Sequence, residues 1–241
     1  MPTFRADCHI HSCLSPCGDL ASSPTAIVER AVDAGLDLIA LTDHNSALNC
    51  PTFAHAAARA GIAALFGIEA TTREEVHALC LFETVEAALE LGETIYAALP
   101  DIPVVPERFG DQVYVDAEEM ILGEVEKHLI YAADYSIDEL LEMTLSAGGL
   151  FIPAHIERPA NSIYSQLGFL PEAPYSAVEV TKWPTLLDTR GLPVISDSDA
   201  HFLDGIGQRS FTFEAPRPGF RGLKAALEGD AVTSSLEGEA S

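Results

Sequence analysis

Asp7-Cys8-His9-Ile10-His11-Ser12 closes an apolar run that starts at Thr3, and the chain then enters a Ser/Pro/Gly loop reaching Asp19. Thr3 to Ile10 reads as a strand. Side chains on a strand alternate faces, so His9 and His11 point the same way. Two neutral imidazoles together at a strand end are a natural pair of metal ligands. A polar strand end with two exposed histidines would look the same over these six residues. What separates the two readings is whether other strand ends supply further ligands.

They do so repeatedly. Leu36–Leu41 is a buried-type strand followed by Thr42-Asp43-His44. Ile62 to Phe66 is a third, ending at Gly67-Ile68-Glu69, and Val76 to Phe82 is a fourth that carries His77. Leu150–Pro153 leads to His155, Ala177–Val180 is a further strand, and Val194-Ile195 leads into Ser196-Asp197-Ser198-Asp199-Ala200-His201. Six of the eight histidines fall at such ends, while His55 and His128 lie in helical or loop context and are expected at the surface.

Helix signals fill the intervals. Ser23 with Pro24 opens a helix to about Ala34, Pro51 opens another that Gly61 stops, Thr84 caps Val85–Leu99, and Ser136-x-x-Glu139 is a capping box. A last helix is expected at about Phe220–Leu227. Repeated strand–helix units with polar residues at the strand ends predict a parallel α/β barrel, with an open doubly wound sheet as the alternative. Residues 1–233 are expected to form one domain, and 234–241 a disordered tail. Gln112–Val115 and Met120–Leu122 flank an acidic turn, which predicts a hairpin-like insertion at about 100–123.

Composition narrows the class. In 241 residues, 48% hydrophobic, no apolar run approaches the ~18 residues of a membrane span. The N-terminus shows no secretory pattern, and five irregularly spaced cysteines do not form a disulfide framework, so a cytoplasmic location is expected. Thirteen Lys and Arg against 37 Asp and Glu give a net charge of -24. That balance predicts long nucleic acid as a poor ligand and a small phosphorylated substrate as the partner, since bound cations would reverse the field only locally.

His9-x-His11, Thr42-Asp43-His44, Gly67-Ile68-Glu69, His77, His155 and Asp199-Ala200-His201 together resemble the motifs of the PHP (polymerase and histidinol phosphatase) superfamily, in order from residue 9 to residue 201. The resemblance implies a distorted seven-stranded (β/α) barrel with two or three divalent metals at its C-terminal mouth. It implies that His9, His11, Glu69 and Asp199 hold one metal, that Glu69 bridges to a second with His77 and His155, and that Asp19, His44 and His201 hold a third. Strand parity leaves Asp197 and Asp199 interchangeable, and the family pattern selects Asp199. The mixed nitrogen and oxygen donors favour Zn, Mn or Fe over Mg or Ca.

The expected activity is that of a metal-dependent phosphoesterase acting on a small phosphorylated metabolite or nucleotide. A hydroxide held by Glu69, Asp199 and His155 would attack phosphorus, with Arg158 and Arg209 binding the phosphate. Two alternatives stand beside it. One is a non-catalytic barrel sensing metal or redox state, motivated by Cys8, Cys13 and Cys17 around the first ligand loop. The other is an amidohydrolase using Lys182 as a bridging lysine. The sequence contains neither Cys-x5-Arg nor Gly-x4-Gly-Lys, so cysteine-phosphatase and P-loop chemistry are unsupported.

Overall fold

The computed structural model of the chain describes residues 1–240, and the side chains of residues 1–237. Its main sheet contains β1 (Thr3–Ile10), β2 (Leu38–Leu41), β3 (Ala63–Thr71) and β4 (His77–Phe82). A small hairpin, β5 (Val113–Val115) and β6 (Ile121–Glu124), stands apart, and β7 (Leu150–Pro153) returns to the sheet. β8 (Val178–Glu179) and β9 (Val194–Ile195) form a separate parallel pair, while β10 (Phe211–Glu214) and β11 (Val232–Ser234) add antiparallel strands beyond β1. The seven-stranded sheet runs β11-β10-β1-β2-β3-β4-β7 and curls into a half-barrel.

Backbone bonds from Ser176 N–H to the Phe151 carbonyl, Val180 N–H to Ile195, and Ala200 N–H to His9 carry the ring from β7 through β8 and β9 back to β1. The fold is the α/β type that the motifs implied. Its strands are not all parallel, however. β4 runs antiparallel to both β3 and β7, because the five residues between β3 and β4 are too few for a crossover. This reversal places His77, the first residue of β4, at the end of the barrel where β1 and β3 finish.

Alternation along the strands assigns two faces. Ile39, Leu41, Cys80 and Phe82 pack outward with Phe53, Ile95 and Leu140 from the surrounding helices. Leu38, Ala40, Leu79 and Leu81 pack inside the curl with Phe211 and Phe213, and with Phe220 and Leu223 of the last helix. The helices are α1 (Pro24–Asp33), α2 (Cys50–Ala60), α3 (Val85–Ala98), α4 (Pro106–Phe109), α5 (Ile137–Ser146), α6 (Ile163–Leu167) and α7 (Phe220–Glu228). Ser23, Thr84 and Ser136 accept bonds from the first turns of α1, α3 and α5, and Glu139 completes the capping box. α4 and α6, of four and five residues, are too short for the periodicity that marked the others.

Along β1 the alternation slips. Ala6 and Cys8 pack inside, but Ile10 packs outside, and the pairing of β1 with β2 shifts register between Asp7 and Ile10. Such a bulge turns Cys8 and His9 to the same side and leaves His9 and His11 sharing the inner face.

Two further expectations change. Ser234, placed at the start of a disordered tail, is the buried end of β11 and donates to Ser196 Oγ at 2.7 Å. Ser235–Ala240 continue as a 3-10 turn, and Ser241 lies outside the described residues. His128, expected at the surface, is buried against Phe109, with ring centroids 4.6 Å apart. The insertion forms the expected hairpin, and β5 is tied to the body of the fold. Asn49 of the loop before α2 bonds Val113 O and Val115 N, and Thr52 Oγ1 bonds Val115 O. Among the described residues no helix is long and apolar enough to cross a membrane.

Candidate metal centre

Glu69 is 1% exposed, and imidazoles crowd its carboxylate. His77 Nδ1 lies 2.7 Å and His155 Nε2 3.0 Å from Oε1, and His44 Nδ1 lies 3.0 Å from Oε2. His9 Nε2 is 3.3 Å from Oε1 and His11 Nε2 3.3 Å from Oε2. Asp199 Oδ1 faces the same two rings at 3.3 and 3.1 Å. Among the described residues, three sets of donor atoms lie within 4.8 Å of one another: His9, His11, Glu69 and Asp199; His44, Glu69 and His77; and His11, His44 and His201.

Backbone geometry contributes to this convergence. His155 and Asp199 adopt positive φ, +30° and +52°, which only a surrounding structure that over-determines them would maintain. At Asp199 the turn also breaks the strand parity that made Asp197 and Asp199 equivalent. Asp199 enters the cluster, whereas Asp197 Oδ1 accepts from Cys8 N–H. Asp7 accepts from Ser198 N–H and Gly207 N–H, so the two acids tie β1 to the segment carrying Asp199. Burial raises the pKa of Asp197 well above the usual range, and Glu179 and Asp7 add to the effect.

Partners behind the rings select which nitrogen faces inward. Glu179, fully buried, sits 3.1 Å from His9 Nδ1 through each carboxylate oxygen and accepts from His155 N–H at 2.8 Å. A proton on His9 Nδ1 leaves Nε2 with its lone pair toward Glu69. Asp43 accepts from the Ser15 hydroxyl at 2.7 Å, and Ser15 then accepts from His11 Nδ1 at 2.9 Å, with the same result for His11. His201 Nδ1 donates to the Asp199 carbonyl at 3.0 Å. Asn161 Nδ2 lies 2.8 Å from His77 Nε2. Turning that amide so that its oxygen accepts from Nε2–H would free Nδ1 to coordinate.

The charges are mutually dependent. Burial disfavours a charged His9, but Glu179, Asp199 and Glu69 outweigh it and hold its pKa well above the usual value. His11 likewise rises to about 9 against burial, through Asp199 and Glu69. His44 falls to about 3 and His201 to about 4, burial being the largest cause in each. Glu69 is depressed despite its burial by His77, His9 and His44, and Asp199 by His9 and His11.

His9 Nε2, His44 Nδ1 and Glu69 Oε2 are buried in the cluster without an aligned hydrogen bond, although His44 Nδ1 and Glu69 Oε2 stand 3.0 Å apart. Buried polar groups are normally satisfied, and converging lone pairs of this kind are what a cation satisfies. The His/Glu/Asp cluster therefore fits a multi-metal site. Asp19, expected beside His44 and His201, meets the latter only through its backbone, its N–H bonding the His201 carbonyl at 3.1 Å, while its carboxylate stands outside the donor groups. It is exposed, and its Oδ1 accepts from Ala21 N–H at 2.9 Å, the local turn bond that short acidic side chains favour.

The two arginines flank the mouth. Arg158 reaches Asp199 Oδ2 at 2.5 Å and is 38% exposed. Arg209 donates to the carbonyls of Asp197 and Ser198 and lines an open hollow of about 550 Å³ with Cys17, Asp199, His201 and Phe202. Lys182 is exposed, with its backbone N–H on Glu157. Burial raises the Cys13 thiol to about 11 and the Cys17 thiol to about 12, with nearby carboxylates adding, so neither resembles the reactive thiolate of a redox sensor. Glu179, Asn161 and Ser15 were not singled out in the sequence, and Asp43 entered only as part of Thr42-Asp43-His44, without a role. A lone acid in the apolar run Ala177-Val178-Glu179-Val180 was the one visible signal.

Comparison with known proteins places this geometry in context. The fold is similar to the lesion-specific endonuclease EndoQ of Pyrococcus furiosus, with a TM-score of 0.71 and 19% identity over 97% of this chain. This chain spans 58% of that protein. A Bifidobacterium adolescentis chain described as a metal-dependent phosphoesterase gives a TM-score of 0.59 at 19% identity, covering 92% of this chain and 95% of that one. In sequence, 64 residues are 48% identical to an error-prone DNA polymerase of Nocardia farcinica, covering 27% of this chain and 6% of the polymerase.

These relatives overturn the preference for a small phosphorylated partner over long nucleic acid. Endonuclease Q is known in complex with a 27-mer duplex carrying an abasic lesion at its active site. Net charge is a weak ground for excluding such a ligand, because it sums the whole surface, whereas a nucleic acid meets only the field of the site that receives it. The family itself is shown by the match of the PHP domain model to residues 7–156, which contain five of the six clustered histidines and Glu69, and the chain accordingly belongs to the PHP domain family.

Proposed function

We propose that this chain hydrolyses phosphate esters with divalent ions held around Glu69, and that the ester belongs to a nucleic-acid strand. The observation carrying the first part is the convergence of imidazoles on a buried carboxylate, with donor atoms left without partners. His9, His11, Glu69 and Asp199 would hold one ion, and Glu69, His77 and His155 a second. His44 and His201 are donors for a third. Zn, Mn or Fe suits this mixed donor set. Ions bound there would polarise the phosphoryl oxygens and supply a water-derived nucleophile at neutral pH.

The remaining work falls to the chain's own groups. Glu179, Ser15 with Asp43, and the Asp199 carbonyl hold the rings of His9, His11 and His201 in fixed tautomers. Arg158 can leave Asp199 Oδ2 for a substrate phosphate when that carboxylate turns to an ion, and Arg209 is held at the rim by two backbone carbonyls. Phe202, 60% exposed, shares the open hollow with Arg209. An exposed ring beside a cation is a platform on which a base stacks, and the hollow is of a size for one nucleotide. The likeness to a DNA-cleaving enzyme and to a DNA polymerase segment supports the same substrate class.

The test uses chelated protein reloaded with Mn or Zn and end-labelled single- and double-stranded DNA, with and without an abasic site. Metal-dependent cleavage at a defined bond, lost on chelation and in Glu69→Gln, is expected. Loaded protein that cleaves none of these substrates would rule out the nucleic-acid reading. Failure to take up metal would overturn the hydrolytic one.

A further inference from the structure

Residues 101–126 carry eight acidic side chains and one basic, Arg108, yet the same stretch exposes apolar ones. Met120, Ile121 and Leu122 are 66%, 61% and 62% exposed and consecutive along the β5–β6 hairpin. Single exposed apolar residues need no explanation, but three in a row on an acidic element do.

The two edges of the hairpin differ. Val113 N–H donates to the Cys13 carbonyl at 3.3 Å, and Val113 O accepts from Asn49. Val115 N–H donates to Asn49 Oδ1 at 3.0 Å, and Val115 O accepts from Thr52 Oγ1. β5 thus spends its outward backbone groups on the body of the fold. Across the ladder, Val113 pairs with Glu124 and Val115 with Ile121. In an antiparallel pair, residues opposite such outward-facing ones also turn their N–H and C=O away. Ile121 and Glu124 therefore present these groups on the far side of β6, and among the described residues no hydrogen bond reaches them there. Leu122 is the extra residue at the register shift between Tyr114 and Val115, so it has no partner on β5 and stands outward beside Ile121.

An open edge of this kind is a template for another strand, and edges that must stay free usually carry Lys or Pro, neither of which occurs in β6. Charge selects the occupant. A second copy would set Glu118, Glu124 and Glu126 against their own kind in a chain of net charge -24, and like charges across a strand pair destabilise it. We propose that β6 receives an extended segment of a different protein, in which apolar residues alternate with Lys or Arg. It pairs with the backbone of Ile121 and Glu124, covers Ile121 and Leu122, and sets its cations against the carboxylates of the hairpin. None of these residues belongs to the metal centre, and the inference is independent of the hydrolytic reading.

A fluorescently labelled peptide alternating Val with Lys probes the full chain, with and without divalent metal. Binding by anisotropy is expected, and it should weaken with salt. Leu122→Lys, which loses apolar cover and meets the peptide with a like charge, should weaken it about tenfold or more. Amide exchange at Ile121 and Glu124 should slow in the complex, and N-methylating the peptide backbone should abolish binding. Circular dichroism of Leu122→Lys checks that the fold is kept. Three results overturn the proposal: no binding, equal binding with Glu in place of Lys, or equal binding of the N-methylated peptide without slowed amides, which is cations merely coating an acidic surface. A wild type that sediments as a dimer, with Leu122→Lys a monomer, also overturns it, because the edge then belongs to a second copy.

Discussion

At the scale of single residues, the groups behind the ligands are as telling as the ligands. Glu179 is fully buried and contacts both His9 at the end of β1 and the backbone of His155 in the turn after β7. Replacing it by Gln keeps the shape but removes the charge that favours a proton on His9 Nδ1. Glu179→Gln is expected to lower metal affinity by about 10–100-fold, the usual cost of losing such an orienting partner. Competition against a chromophoric chelator would measure it, and an unchanged affinity would mean that Glu179 serves packing alone. Sequence could not nominate Glu179 for this role. It lies 170 positions from His9, and only the curl of the sheet brings them together.

At the scale of elements, strand direction and the hairpin are the informative cases. The antiparallel course of β4 was open to inference from the few residues separating Glu69 from His77, too short for a helical crossover. Counting strand ends as all parallel nevertheless located His77 correctly, because a reversed strand presents its first residue where its neighbours present their last. The β5–β6 hairpin was legible as a hairpin, but not its seat against Asn49 and Cys13. Asn49 is fully buried and bonds Ser12 Oγ, Val113 O and Val115 N. Asn49→Ala strands those groups and is expected to cost about 1–3 kcal/mol in urea denaturation. Leu122→Lys, on the exposed strand of the same hairpin, should stay within about 0.5 kcal/mol of wild type. Equal effects would show that the hairpin is not anchored through Asn49.

At the scale of the whole molecule, the cluster couples stability to pH and to metal. In metal-free protein, His11 has a pKa raised from 6.5 to about 9 by Asp199 and Glu69. Stability from that raised value is fully present below pH 6.5 and is lost as pH rises through about 9. Glu69 and Asp199 are depressed, so their contribution is present above ordinary carboxylate values and is lost as pH falls through their folded ones. The urea midpoint of chelated protein should therefore fall between pH 6.5 and 9, and that fall should be smaller in His11→Gln. In metal-loaded protein it should be absent, because a coordinated His11 has already released its proton. A flat profile for chelated wild type would show that His11 is neutral in the folded state.

Which strand ends carry metal-capable side chains was legible from local pattern. His9, His11, His44, Glu69, His77, His155 and Asp199 to His201 stand beside apolar strand runs, a placement readable locally even though the bulge in β1 and the turn at Asp199 override the period of two. Helix caps were equally legible, since a cap and the turn it satisfies lie within four residues. Tertiary structure alone decided what those ends share. It determined that His11 and His44 each stand in two donor groups, that Asp19 turns away while Cys17 lines the mouth, and that Asp199 enters where Asp197 does not. The physical reason is that ligation and tautomer choice depend on distances of about 3 Å between groups far apart along the chain. Those distances exist only once the sheet has curled and closed.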